Sequence, residues 1–404
     1  MERFVDRYVN REEARRQHGE AADRFATSYR RSDPIADEVV RWMHATGPRS
    51  RELFEQALTR GLGSLESPPP ALVALFSEVE RLPPWVDQAR LDRAARTYQR
   101  GGLATMFVLS AWSLMNGYHS APAVKPLSFT RQLEAMAPRR LAETGRFVTE
   151  VSQTRGMQRY AKGFEIAVRV RLVHAHVRAA LLKSPAWKTE AWGLPINQGD
   201  MLGTILEFSV LWIWGLEKLG FLLTDREKDD VMHLWRYVGF VSGVESDLLD
   251  GIADYARADR TANLVYLVQP GPDDDSLALA KALREVAIVN ARTPAELRRG
   301  RVVQLVHDGL SWAFNGDEIA GALEVPNRGM RHIVPPMRAM VRAVERVREA
   351  TPGMTWLASE IGNRQVRNHV AFLLQRKEPS FEAPQKIDES RGGRASVVRG
   401  PQPV

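Results

Sequence analysis

The apolar residues of this chain recur every three or four positions and never settle into a sustained two-residue alternation. Such segments bury stripes of helices rather than faces of strands, so the expected fold class is all-α. The clearest stripe is Phe164 to Ala180. Ile166, Val170, Val173, His174, Val177 and Leu181 fall on one face there, while His176 is swung to roughly the opposite face. Arg171 and Arg178 stand three before and four after His174, so they flank the same face one turn away. An imidazole on an apolar stripe between two guanidinium groups has the geometry to hold haem, with the imidazole on iron and the arginines on the propionates. The same residues describe equally well a core histidine satisfied by its neighbours.

With 404 residues, the chain has room for one large domain or two. It has no cysteine, which removes disulfides, zinc–thiolate sites, iron–sulfur clusters and a thiolate haem ligand together. The absence fits a reducing compartment. Beyond Asn290 the chain carries 18 Lys and Arg against 12 Asp and Glu, nearly all of its net +7. That surplus is spread along helices such as the one with Arg338, Arg342, Arg346 and Arg348, without interleaved aromatics. It reads as a solvated basic face, with no nucleic acid as partner.

Asp87, after Leu82-Pro83-Pro84-Trp85-Val86, is placed to cap a helix leading into the apolar stretch Leu103–Met115, which is too short to span a bilayer. Asn116-Gly117-Tyr118 closes that stretch and residues 120–125 read as loop. A helix from Leu133 to Gln153 puts Arg140, Thr144, Phe147, Val148 and Val151 on one face. Asn197 or Asp200 caps a helix through Met201–Lys218, whose apolar run Glu207, Glu217 and Lys218 interrupt. Thr224 and Glu227 form a capping box. Asp273-Asp274-Asp275 reads as a helix start in preference to a calcium loop. The expected organisation is an N-terminal helical region (1–82), a core (83–268), a C-terminal helical region (277–376) and a disordered tail (377–404). The densely charged opening, Met1 to Gln17, lacks an apolar export core, so the expected location is cytoplasmic. A peripheral membrane contact stays open.

Taken in order, Trp85-Val86-Asp87, Gly117-Tyr118, Arg140-Leu141-Ala142-Glu143-Thr144, Arg171-Leu172-Val173-His174-Ala175 and the Trp192–Gln198 turn resemble the rubber-oxygenase catalytic domain family. That family includes the latex-clearing proteins and the MpaB oxygenase. The resemblance covers roughly Pro83 to Asp250. It implies a globin-like helical core binding haem b, with His174 as the iron ligand and Arg140 and Thr144 as catalytic pocket residues. It also implies oxidative cleavage of a hydrophobic, isoprenoid- or lipid-like alkene by dioxygen. Two positions depart from the family pattern. Ungapped spacing puts Val124 where latex-cleaving members carry an acid, and Glu143 stands in place of a lysine. The expected function is therefore a haem-dependent oxygenase of small hydrophobic alkenes. A haem-binding sensor or carrier without turnover is the alternative, and a structural helical protein binding partners or an anionic membrane surface is a third reading.

Overall fold

The computed structural model describes residues 4–129, 133–289 and 291–374, and among these every regular element is helical. The expected disordered tail lies outside the described residues. Local chemistry sets the helix starts, at Asp87, Asn197 and Thr224 where the sequence placed them and at Asp33 besides. Asp33 caps Pro34–Thr46, accepting from the Ala36 amide at 3.2 Å, with Pro34 in the first turn where its missing N–H costs nothing. Asp87 caps Gln88–Arg100 through the amides of Ala89 and Arg90. Thr224 and Glu227 form the reciprocal box that starts Asp225–Val241. Asn197 caps Gln198–Phe208, accepting from the Asp200 amide at 2.9 Å.

The core is aromatic at its centre. Tyr98 stacks on Trp212 with ring centroids 4.2 Å apart, and Phe208 stacks on Trp235 at 5.3 Å. Phe147 meets both Phe208 and Trp235, at 6.4 and 6.3 Å. These contacts tie Leu133–Val151, Gln198–Phe208 and Asp225–Val241 around one buried volume, and Lys162–Leu181 packs along Leu133–Val151. The C-terminal helices close against the same body. Asp274–Val289 lies on Leu133–Val151, and Met354–Leu373 on Gln88–Arg100. At that second crossing, a Cβ on Gly362 would collide with the Gln99 carbonyl, so the approach requires glycine.

Four local expectations give way to tertiary chemistry. Residues 120–125 are no loop: Ala121–Ser128 is helical, with a proline in its first turn and Lys125 buried between Asp273 and Asp275. Those two aspartates thus hold a lysine, and Asp273 also accepts from the Ser276 amide. Met201–Lys218 is two helices, Gln198–Phe208 and Val210–Leu219, broken at Ser209, where φ is −113° and ψ −82°. The Ser209 hydroxyl donates to the Ile205 carbonyl at 2.7 Å, an alternative to the helical ladder. About 72% of that long apolar segment is buried inside the protein. The Leu103–Met115 stretch runs on to His119 through a π-helical turn at Leu109–Ser113. On Val334–Ala350, finally, Arg338, Arg342 and Arg346 are exposed as expected, but Arg348 is buried and pairs with Glu345 at 3.0 Å.

Candidate functional site

His174 sits in the third turn from the end of the 20-residue helix Lys162–Leu181. It is half-buried, with part of its surface accessible. Burial, reinforced by the Arg178 charge, holds its pKa down to about 4, against a weaker opposing effect from Asp33. The ring is therefore neutral near pH 7. Its Nδ1 is sealed with no hydrogen-bond partner, whereas Nε2 is not sealed and receives no protein hydrogen bond. A neutral imidazole with an open nitrogen is the form that binds a metal.

The two flanking arginines, expected to meet propionates, are engaged with acidic side chains of the chain. Arg171 makes a bidentate pair with Asp33, at 2.6 and 2.9 Å, and reaches Glu78 at 2.6 Å. Both Arg171 and Asp33 are almost wholly buried. Arg178 donates to Asp37 at 2.8 Å and to the Ile196 carbonyl at 2.7 Å. Each guanidinium group is thus paired with carboxylates of the chain, while one nitrogen of each, Arg171 Nη1 and Arg178 Nη2, is buried with no hydrogen-bond partner among the described residues. They fasten the His174 helix to the Pro34–Thr46 helix and to the turn before Gln198. Gly243, at φ +87°, leaves room for the pair, since a Cβ there would strike both Asp33 and Arg171.

His176 turns away, as its position on the helix demands, and its ring meets that of exposed His44 at 5.6 Å. Among the described residues no three His, Asp or Glu side chains gather into a metal cage. A metal at His174 would thus have to arrive in a prosthetic group that supplies the remaining ligands.

Arg140 and Thr144 lie on the buried side of Leu133–Val151, in line with Phe147, Val148 and Val151. Both are half-buried. Arg140 donates to the Leu127 carbonyl at 3.2 Å, and burial lowers its pKa although Tyr118 and Glu143 pull it back up. The Thr144 hydroxyl has no hydrogen-bond partner among the described residues. Glu143 pairs with Arg139 at 2.9 Å on the outer side. Val124 is buried against Leu279, beside Tyr118 and Leu127, and supplies no acid.

An acid is present nonetheless, on another helix. Glu207, near the end of Gln198–Phe208, is deeply buried but keeps accessible surface, and its carboxyl makes no hydrogen bond or ion pair among the described residues. Burial, with a contribution from Asp200, lifts its pKa to about 8. Gly117 lies against that carboxyl so closely that a Cβ would collide with it. The next residue, Tyr118, has its pKa pushed up to about 12 by burial and by Glu207, while Arg140 lowers it. Tyr118, Arg140 and Glu207 therefore form one electrostatically linked group. The sequence reading passed over Glu207 as an interruption of an apolar helix. The usable signal was that a lone carboxylate in such a run must be paired, exposed or neutral. The tryptophans of the same segment are core instead: Trp212 donates to Thr105 Oγ1 at 3.1 Å and Trp214 to Asp259 at 3.1 Å.

A neutral histidine on one helix thus belongs to the same all-helical body as an arginine, a threonine, a tyrosine and a glutamate carried on other helices. The family model described as "ER-bound oxygenase mpaB/B'/Rubber oxygenase, catalytic domain" matches residues 98–346, and the chain belongs to that oxygenase family. The match begins before the π-helical turn and runs past the Gln269–Asp275 linker into the C-terminal helices. A rubber oxygenase of Streptomyces sp. (strain K30) is 25% identical over 227 residues, 55% of this chain and 54% of that protein. The chain thus matches about half the length of this relative. A solved structure of latex clearing protein in the closed state superposes with a TM-score of 0.64 at 20% identity, covering 83% of this chain and 88% of that one. At that identity the likeness speaks for the fold.

Proposed function

We propose that the protein is a haem b-dependent oxygenase that uses dioxygen on a hydrophobic alkene, isoprenoid- or lipid-like in character. The observation that carries this reading is His174: a neutral imidazole with an open Nε2 and, among the described residues, no cage of other ligands. Family membership supports the reaction class. In this proposal His174 holds the iron. The bound group supplies the dioxygen chemistry that no side chain here can provide. Arg171 and Arg178 keep the ligand helix in register through Asp33, Asp37 and Glu78. Arg140 and Thr144 present a cation and a free hydroxyl to the pocket. An apolar substrate fits such a helical interior, its burial contributing about 25 cal/mol per Å². A cytoplasmic location is part of the proposal, and the cysteine-free composition agrees with it.

One specific feature keeps the carrier reading in play, namely Val124 at the position where latex-cleaving members hold an acid. Two measurements on the purified protein separate the readings. A haem absorption band together with alkene-dependent dioxygen uptake supports the oxygenase. The band without uptake, across short terpenoid and polyene alkenes, favours the carrier. Absence of the band after haem reconstitution removes both.

A further inference from the structure

We propose that Glu207 is the proton donor of this pocket: a neutral carboxylic acid that meets an oxygen atom of the bound small molecule. The inference rests on the pocket reading given above and adds a residue and a substrate feature to it. Three observations carry it. The carboxyl has no hydrogen-bond or ion-pair partner among the described residues, although it lies deep in the protein. It keeps part of its surface accessible, and neither carboxyl oxygen is sealed. It is also held firmly. The Ser113 hydroxyl, at the end of the π-helical turn, donates to the Glu207 carbonyl at 2.7 Å, and Gly117 is closed against the carboxyl itself.

A buried acid with no cation beside it stays protonated, because ionising it would leave an uncompensated charge. The groups nearest in electrostatic terms are Tyr118 on the neighbouring helix, Arg140 acting on Tyr118 from across the pocket, and Asp200 two turns back on the same helix. Asp200 makes ionisation harder, and its own carboxyl is bound by Arg7 at 2.7 and 2.9 Å. With a pKa of about 8, roughly ten molecules carry the proton for each that has lost it at pH 7.

The step this permits is a simple transfer. The Glu207 O–H bond breaks and a new O–H bond forms on the ligand oxygen. The electron pair stays on the carboxylate. A solvent proton entering the pocket restores the acid. A carboxyl in this state also selects: a hydrocarbon leaves its polar group unmatched, whereas an alkenyl ketone or ester accepts its hydrogen bond.

Infrared difference spectroscopy tests this without turnover. The wild-type protein should show the C=O stretch of a protonated carboxyl at pH 7 that disappears on titration centred near pH 8, and Glu207→Gln should lack that band. An unsaturated aliphatic ketone used as probe should show a carbonyl stretch lowered by hydrogen bonding in wild type, and one near its value in apolar solvent in Glu207→Leu. Should the position 207 variants fail to fold, Tyr118→Phe assigns the band by shifting it. A carboxyl band absent at pH 7, unmoved by every variant, or a probe carbonyl identical in wild type and Glu207→Leu overturns the proposal. All these readings are made on haem-free and haem-loaded protein alike, so a failure to bind haem sinks the oxygenase reading and leaves this one standing or falling by itself.

Discussion

Replacing Arg171 by Met separates a bracing arginine from a propionate ligand. The side chain keeps its approximate length and loses its charge, leaving Asp33 buried at 3% exposure with both carboxylate oxygens stripped of their guanidinium partners. Breaking a buried pair from one side typically costs about 3–5 kcal/mol, most of it the desolvation of the abandoned charge. Asp33 still accepts from the Ala36 amide, and Glu78 is partly exposed and can turn to water, so the lower half of that range is expected. The assay is urea unfolding of haem-free protein, followed by circular dichroism, for wild type, Arg171→Met, Asp33→Asn and the double variant. The account predicts a loss of about 3 kcal/mol in each single variant, with the double variant losing much less than their sum. A haem-free protein indifferent to Arg171→Met, with haem affinity falling sharply instead, would refute the bracing role and restore the propionate one.

Gly243→Ala should destabilise the protein by more than about 1 kcal/mol, since it must hold φ +87° and push into the same ion pair; equal unfolding midpoints would count against this. His233 accepts from the Asp87 amide through Nε2 at 3.0 Å, and burial, with Arg90 adding, depresses its pKa to about 4. The unfolded chain, near 6.5, binds the proton first, so stability due to neutral His233 is complete above about pH 6.5 and is lost as pH falls toward about 4. His233→Gln should flatten the stability–pH curve across that window, and an unchanged slope would reject the assignment. Arg140→Ala and Thr144→Ala should alter ligand binding or spectra while leaving circular dichroism unchanged, with Arg140→Ala costing about 1.5–3 kcal/mol in the contact it makes.

Helical class, the starts at Asp87, Thr224 and Asn197, and the shared face of Arg140, Thr144 and Phe147 were legible because each depends on residues within a few positions of one another. What escaped depends on partners far away in sequence. Arg171 and Arg178 read as free cations until the carboxylates of Asp33 and Asp37, more than 130 positions earlier, are seen beside them. Lys125 made residues 120–125 look like a polar loop, yet Asp273 and Asp275 neutralise it and let the segment coil and bury. Ser209 broke an apolar run that composition describes as one helix, by a bond to its own backbone. Glu207 was visible as an anomaly, but only the fold shows that no described residue pairs with its carboxyl.

The central claim is that His174, and not His176, holds haem iron through an open imidazole nitrogen. The direct measurement is the absorption spectrum of haem-reconstituted wild type, His174→Ala and His176→Ala, each checked for helicity by circular dichroism. The account predicts an intense Soret band in wild type and His176→Ala, and its loss or strong weakening in a still-helical His174→Ala. Equal Soret intensity in all three proteins would contradict it.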